Sequence, residues 1–338
     1  MTIDFSPLDS ATRLLFSIEL QPVQGDRFQP TGFPSLGAAT YQTKDGQKLL
    51  VESAQSMANR LEATVWDTGS EGPVAALAGI SHVTVMKDGN FLTDTMLEAH
   101  RLNSPYILEA KGSEFVKELK QELGTLENGP IDRKLLAQVL LKYDVGSLLH
   151  GVFLAKSDLA GGRLRVARAL SAFIEASGAR VAASGGVKND HVNPGGDTGK
   201  GFGNVPFARD EFTAEQIVLH VNFDLAQVRG YGLGADVERL LVLLGLYRLR
   251  KLLDGDLRLR TACDLEPLTR SPEATRPEGF VLPSLADLET DLRAAIEKNQ
   301  AAMVHTKPSY DAKIESAKKK KKGDATASDS EEEALGDD

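Results

Sequence analysis

Leu14-Leu15-Phe16-Ser17-Ile18-Glu19-Leu20-Gln21 is the stretch on which the reading of this chain turns. Leu14, Phe16, Ile18 and Leu20 occupy every second position, with Leu15, Ser17, Glu19 and Gln21 between them, so an extended strand presents one apolar face. Working outward, Gly25-Asp26-Arg27-Phe28-Gln29-Pro30-Thr31-Gly32-Phe33-Pro34 has prolines that fix φ and lack amide donors, which predicts an ordered loop. A hairpin turns at Asp45-Gly46. Glu52 to Trp66 then reads as a helix, capped by Ser53, with Met57, Leu61 and Val65 stacked at spacing four.

Residues 67–145 read as mostly helical and inserted, with pieces at Thr93–Arg101, Ser113–Leu123 and Pro130–Tyr143. From Leu148 the expected order is strand, helix, strand, strand, helix, strand. Leu148–Ala155 is the first of these strands. Leu164–Ser177 is the helix, with Val166, Leu170, Phe173 and Ile174 inward. Arg180–Gly186 is the next strand, and Ile217, Leu219, Val221 and Phe223 alternate in the one after. Asp236–Leu253 is a buried helix whose Arg248, Arg250 and Lys251 complement its dipole, and Leu257–Leu265 closes as a last strand. Between strands, Lys188–Phe212 carries no packing pattern, which in a compact domain points to a functional segment.

The 338 residues are 41% apolar and 26% charged, an ordinary soluble composition. No run is long and apolar enough to span a bilayer, and Met1 to Ser10 has no secretory pattern. A single cysteine, Cys263, forms neither an internal disulfide nor a thiolate metal site, so a reducing, cytoplasmic setting is expected. Net charge is −9, against a simple nucleic-acid binder, although phosphate contact needs only a local stripe of cations. Positions 311–338 hold nine acidic and six basic residues, supply −3 of that total, and read as a disordered charged tail.

Catalytic motifs are not found. Gly195 leaves three residues before Gly199-Lys200, with Gly201 next, so neither a P-loop nor a dinucleotide fingerprint forms. The six histidines have no ligand spacing, no nucleophile elbow is present, and Asp26 and Asp190-His191 lack a partner set. No cofactor or metal is expected. What remains is cations and polar groups at turns. Arg27 and Gln29 sit in the first loop. Ser53, Gln55, Ser56, Asn59 and Arg60 open the first helix, and Arg163, Arg165 and Arg168 follow Gly161-Gly162. A helix N-terminus reinforced by arginine is a phosphate site in waiting.

Set behind a first strand and a glycine-bearing polar loop, Glu52-Ser53-Ala54-Gln55-Ser56-Met57-Ala58-Asn59-Arg60 resembles the start of the Cas-seven family, the backbone subunits of CRISPR Cascade complexes. Asp144-Val145-Gly146-Ser147-Leu148-Leu149-His150-Gly151 and Leu164-Arg165-Val166-Ala167-Arg168-Ala169-Leu170 look like further parts of it. Gln24–Pro34 together with Val187-Lys188-Asn189-Asp190-His191-Val192 is similar to one branch, the backbone protein of type I-G (formerly I-U) systems, the GSU-type or Csb-one group. The resemblance covers roughly residues 12–266. Ala58 stands where many relatives carry a lysine, leaving Asn59 and Arg60 as the nearby contacts, and the charged tail is outside the pattern.

The resemblance implies an α+β fold: an RRM-like, ferredoxin-like palm sheet formed by 1–66 and 146–266, helical fingers at 67–145, a β-hairpin thumb at 188–212, and an extension at 267–310. It implies a protein that catalyses nothing, grips CRISPR guide RNA by its backbone, stacks head to tail into a filament with other Cascade subunits, and lets the guide pair with target DNA. No membrane is involved. The thumb would contribute Lys188, Asn189, His191, Lys200 and Phe202 as RNA contacts, with Phe202, Val205 and Phe207 as a wedge that displaces bases at regular intervals. The competing reading is a target-RNA endoribonuclease that uses Asp26 in the loop after the first strand.

Overall fold

The alternation at Leu14–Leu20 becomes strand β1 (Arg13–Pro22), and its apolar face governs what is built around it. The structure is a computed structural model describing residues 2–33, 37–109, 113–255 and 257–312, so most of the charged tail lies outside the described residues. In chain order there follow β2 (Thr40–Thr43), β3 (Gly46–Glu52), α1 (Ala54–Ala63), β4 (His82–Lys87), β5 (Asn90–Asp94), α2 (Glu114–Gly124), α3 (Arg133–Tyr143), α4 (Gly146–His150), β6 (Val152–Leu154) and β7 (Leu164–Val166). Then come β8 (Leu170–Ser177), β9 (Arg180–Lys188), β10 (Val205–Thr213), β11 (Gln216–Asp224), α5 (Leu225–Gly230), α6 (Ala235–Asp254), β12 (Leu257–Arg260), β13 (Cys263–Pro267) and α7 (Leu285–Asn299).

Seven strands form one antiparallel sheet in the order β12-β13-β1-β11-β8-β3-β2. Its centre is a strand–helix–strand–strand–helix–strand unit: β1, α1, β8, β11, α6 and β13. The register aligns three apolar rows. Leu14 and Leu170 flank Phe223, Phe16 and Ala172 flank Val221, and Ile18 and Ile174 flank Leu219. All nine of these side chains are buried. Helix α6 covers this face so closely that a Cβ at Gly245 would lie 2.5 Å from the Phe223 ring. The other face is polar: Ser17 Oγ lies 3.3 Å from His220 Nδ1, and Phe173 packs beside that imidazole at 5.2 Å.

Several expected elements differ from the fold. Leu164–Ser177 is two strands rather than a helix. Leu170, Ala172, Ile174 and Ala176 alternate inward, and two small alanines hide that period, whereas Phe173 faces out. Leu148–Ala155 is helix α4 and then β6, broken at Gly151 (φ 80°), where a Cβ would meet the Val166 carbonyl oxygen at 2.8 Å. Thr93–Arg101 is the end of β5 and a turn, so the region 67–145 opens with the β4–β5 hairpin before its helices begin. Leu257–Leu265 is a hairpin, turned where Ala262 takes φ 60°. The unpatterned Lys188–Phe212 belongs to a longer arm, laddered from Arg180 opposite Thr213 to Lys188 opposite Val205.

Beneath the sheet's helical layer lies a charge cluster. Glu62 of α1 accepts from Arg101 Nε at 2.8 Å and also from its Nη2. Asp144, between α3 and α4, accepts from Ser147 Oγ at 2.6 Å. Arg248 of α6 has no exposure. These groups converge on Gly146, where a Cβ would lie 3.1 Å from Asp144 Oδ1, 3.5 Å from Glu62 Oε1 and 3.7 Å from Arg248 Nη2. Burial pushes the carboxyls of Glu62 and Asp144 upward, and the Arg101 guanidinium pulls both back down. Two carboxylates against two guanidiniums leave the cluster balanced, and it ties the inserted region (Arg101, Asp144) to the helices on the sheet (Glu62, Arg248).

Two stability outcomes follow. Gly245→Ala forces a methyl group into the Phe223 ring, and chemical denaturation should read a loss of ~1–3 kcal/mol. Glu62→Gln strands the buried Arg101 guanidinium and should cost ~3–5 kcal/mol, whereas the exposed Glu118→Gln should stay within about 0.5 kcal/mol. A Glu62→Gln protein as stable as the parent would mean that the cluster does not bind these elements together.

Candidate nucleic-acid interface

A paired glycine begins the local geometry. Gly161 and Gly162 take φ 72° and 68°, and a Cβ on Gly162 would strike the Ala155 carbonyl oxygen at 2.5 Å, so the chain folds β7 straight back on β6. The pairing sets Leu154 opposite Leu164, both buried, and Phe153 opposite Arg165, both exposed. An exposed aromatic ring beside a guanidinium is a platform on which a nucleobase can stack.

That ledge is one wall of an open cleft of about 2040 Å³, roughly twice the upper end of ordinary small-molecule pockets and better suited to a stretch of polymer. Its lining contains six arginines, at 13, 101, 133, 163, 165 and 168, against one carboxylate, Asp224. Arg13 is paired with Asp224 and Arg101 with Glu62. Arg163 donates to the carbonyl oxygens of Leu126 (2.6 Å) and Gly129 (2.9 Å), which fixes it without neutralising it. Among the described residues Arg133, Arg163, Arg165 and Arg168 have no carboxylate partner. Local positive charge is thus concentrated in a protein whose total is −9.

The cleft reaches the first turn of α1. Ser53 caps this helix, its Oγ accepting from the Ser56 amide at 3.2 Å, and Gln55 faces the cleft, where its Oε1 accepts from Arg168. At the floor, Arg101 (4% exposed) and His150 (1% exposed) are lining residues. Burial and the guanidiniums of Arg248, Arg101 and Arg168 push the His150 imidazole well below its usual value, which keeps it neutral.

The expected contacts divide into three groups. Gln55, Arg163, Arg165 and Arg168 come together in the cleft. Ser53, Ser56 and Asn59 lie along α1, and Arg60 turns toward β12 instead, donating to the carbonyls of Leu259 and Arg258, with its Nε 3.4 Å from Glu52. Arg27 and Gln29 lie at the base of the arm. Phe28 between them is fully buried and bonded to Phe212 in both directions at 2.9 Å, while Arg27 reaches the Ala183 carbonyl at 3.4 Å. The exposed Asp26 of that loop makes no ion pair among the described residues, and no group of three or more His, Cys, Asp or Glu there is arranged to hold a metal.

Lys188, Asn189, His191, Lys200 and Phe202 all lie at the outer end of the arm, exposed. Asp190 organises this end. It accepts amides from Val192 and Asn193 at 2.9 Å and from Gly203 at 2.8 Å, bonds that hold its carboxyl below the ordinary range. Lys188 reaches the Gly201 carbonyl at 3.4 Å, and Lys200 lies 3.5 Å from Asp197. Phe202 and Phe207 are each 51% exposed. Missed by the sequence reading were Arg13, Arg101, Arg133, His150 and Phe153. Of these, only Phe153, an aromatic in the short run before Gly161-Gly162, carried a local signal.

Residues 14–181 match the family model described as CRISPR-associated protein GSU0053 (Cas_GSU0053). No curated protein matches the chain in sequence. Solved structures similar to it include the following two. The one called "CRISPR RNA-guided surveillance complex, pre-nicking" is 14% identical and covers 75% of this chain and 76% of its own, with a TM-score of 0.37. The one called "Crystal structure of Thermofilum pendens Csc2" is 8% identical and covers 88% and 80%, with a TM-score of 0.33. At these scores the likeness fixes neither the fold nor the function. The family match runs from the first strand to the start of the arm, and this stretch, just under half of the chain, is that of the CRISPR-associated GSU0053 family.

Proposed function

We propose that this protein is a non-catalytic backbone subunit that binds CRISPR guide RNA, with the arginine cleft as the groove for the RNA backbone. The observation that carries this reading is the charge of the cleft: six arginines against one carboxylate, in a space of polymer size, on an acidic protein. Cations without carboxylate partners need an anion, and a strand of phosphates supplies one at regular spacing. The Phe153–Arg165 ledge gives a base somewhere to stack without reading its identity. A subunit of this kind leaves sequence recognition to base pairing between guide and target DNA.

In the same reading the central sheet with α1 and α6 is an RRM-like, ferredoxin-like palm, residues 67–145 are the fingers, and the arm is a thumb that reaches an adjoining copy. Two features support the thumb: it projects an exposed apolar strip (Val187, Val192, Phe202, Phe207), and Asp190 preorganises its end. Copies stacked head to tail use two different faces of each subunit, so the assembly stays open at its ends and grows with the RNA. Other Cascade subunits are its further partners in this reading.

The test is the salt dependence of RNA binding. Arg133, Arg165 and Arg168 replaced together by Ala should weaken binding to single-stranded RNA and make the slope of log affinity against log salt shallower by about two units. Arg258→Ala, an exposed arginine outside the cleft, should leave the slope unchanged. A slope that stays the same in the triple variant would remove the cleft as the RNA groove.

A further inference from the structure

We propose that the acidic segment 329–338 of this chain occupies the arginine cleft when no RNA is bound, so that RNA enters by displacing it. This goes beyond the reading of the cleft as an RNA groove and rests on it. The segment lies outside the described residues, and its place follows from charge, composition and reach.

The cleft sets the charge. With Arg13 paired to Asp224 and Arg101 to Glu62, the lining arginines at 133, 163, 165 and 168 have no carboxylate among the described residues. Arg133, Arg163 and Arg165 are exposed. Guanidiniums gathered in a concave space repel one another, and an anion between them relieves that repulsion. Asp329-Ser330-Glu331-Glu332-Glu333-Ala334-Leu335-Gly336-Asp337-Asp338 carries six carboxylates in ten residues and no cation, the densest acidic run of the sequence.

Composition matches as well. Leu335 is the one large apolar residue of the run, placed between Glu333 and Asp337. On the cleft wall the exposed Phe153 ring lies opposite Arg165. Carboxylates interrupted by a leucine thus answer guanidiniums interrupted by an aromatic ring.

The chain is anchored close by. Tyr310 donates its amide to the Met86 carbonyl at 2.7 Å, and Lys87 Nζ donates to the carbonyls of Tyr310 and Ala312 at 3.4 and 2.9 Å. The Tyr310 ring packs edge-on to Tyr106 at 5.5 Å, and Asn103, three positions before Tyr106, lines the cleft. Sixteen residues separate Ala312 from Asp329, about 50 Å of chain at full extension, against roughly 10 Å from Tyr106 to Asn103. A ligand tethered within reach competes at an effective concentration on the order of millimolar. Lys318–Lys322 are the rival partner for the acidic run. Lysine–carboxylate pairs in water are worth little, whereas clustered guanidiniums hold carboxylates through paired bonds in a less screened space. The cleft wins that competition.

The experiment measures the affinity of the full chain for a labelled single-stranded RNA at low salt, with Asp329→Asn, Glu331→Gln, Glu332→Gln and Glu333→Gln made together. Removing the competitor should tighten binding about three- to tenfold, the reciprocal of the fraction of open clefts, and the gain should fade as salt is raised. Asp9→Asn, Asp45→Asn, Glu118→Gln and Glu278→Gln together remove the same charge from exposed positions outside the cleft, and should change affinity less than about twofold. In the Arg133, Arg165 and Arg168 variant the tail substitutions should do no more than this control. Equal gains from tail and control substitutions would overturn the proposal, and so would a tail gain that survives loss of the three arginines. Photocrosslinking separates this claim from the RNA reading. Leu335→p-benzoylphenylalanine in the RNA-free protein should link within its own chain to the cleft wall near Phe153, and added RNA should abolish the link. Links elsewhere, or only to a second copy, would refute the tail's place in the cleft. A cleft link that RNA leaves untouched would keep the tail there and remove the RNA.

Discussion

Beneath the arginine cleft, Glu62 and Asp144 face Arg101 and Arg248 almost out of reach of water, and four separate stretches of chain meet through them. Desolvating four charges is expensive, and attraction between them repays it only if each keeps its opposite. An apolar cluster could fill the same space without that expense. What the charges add is direction. Arg101 is pinned in its turn by two bonds to Glu62, and from there it borders the cleft alongside His150. The cleft floor is thus set by the same contacts that dock the inserted region onto the sheet's helices.

From this follows how an acidic protein presents a cationic groove. The arginines of the cleft sit at chain reversals: the glycine pair before Arg163, the start of α3 at Arg133, and the link between β7 and β8 at Arg168. Backbone carbonyls rather than carboxylates restrain Arg163, so its position is fixed while its charge stays available. Among the described residues, acidic side chains other than Asp224 lower the total charge without entering this space. On the proposed reading the groove grips by charge and stacking and leaves specificity to a paired guide.

Much of the scaffold was legible because its strands are simple. Leu14–Leu20 and Ile217–Phe223 alternate cleanly, and α6 is apolar nearly all round. Leu164–Ser177 misled because Val166, Leu170, Phe173 and Ile174 also fit a helical period, while the alanines at 172 and 176 that complete the true strand face carry little apolar weight. The cleft was half legible. The arginines at 163, 165 and 168 announce themselves behind a glycine pair, but a buried Arg101 is indistinguishable in sequence from a surface charge, and its partner Glu62 lies 39 positions away. Arg60 shows the reverse: a good candidate by position, yet drawn off by Glu52 and the β12 carbonyls, partners no local pattern reveals.

The account stands or falls on where the RNA lies. Photocrosslinking of thiouridine-bearing single-stranded RNA to the intact protein, with the linked residues mapped by mass spectrometry, locates it directly. The account predicts adducts on the cleft wall, foremost at Phe153 and its neighbours on β6 and β7. Adducts confined to the polar face of the central sheet, around Phe173 and His220, with none in the cleft, would contradict it.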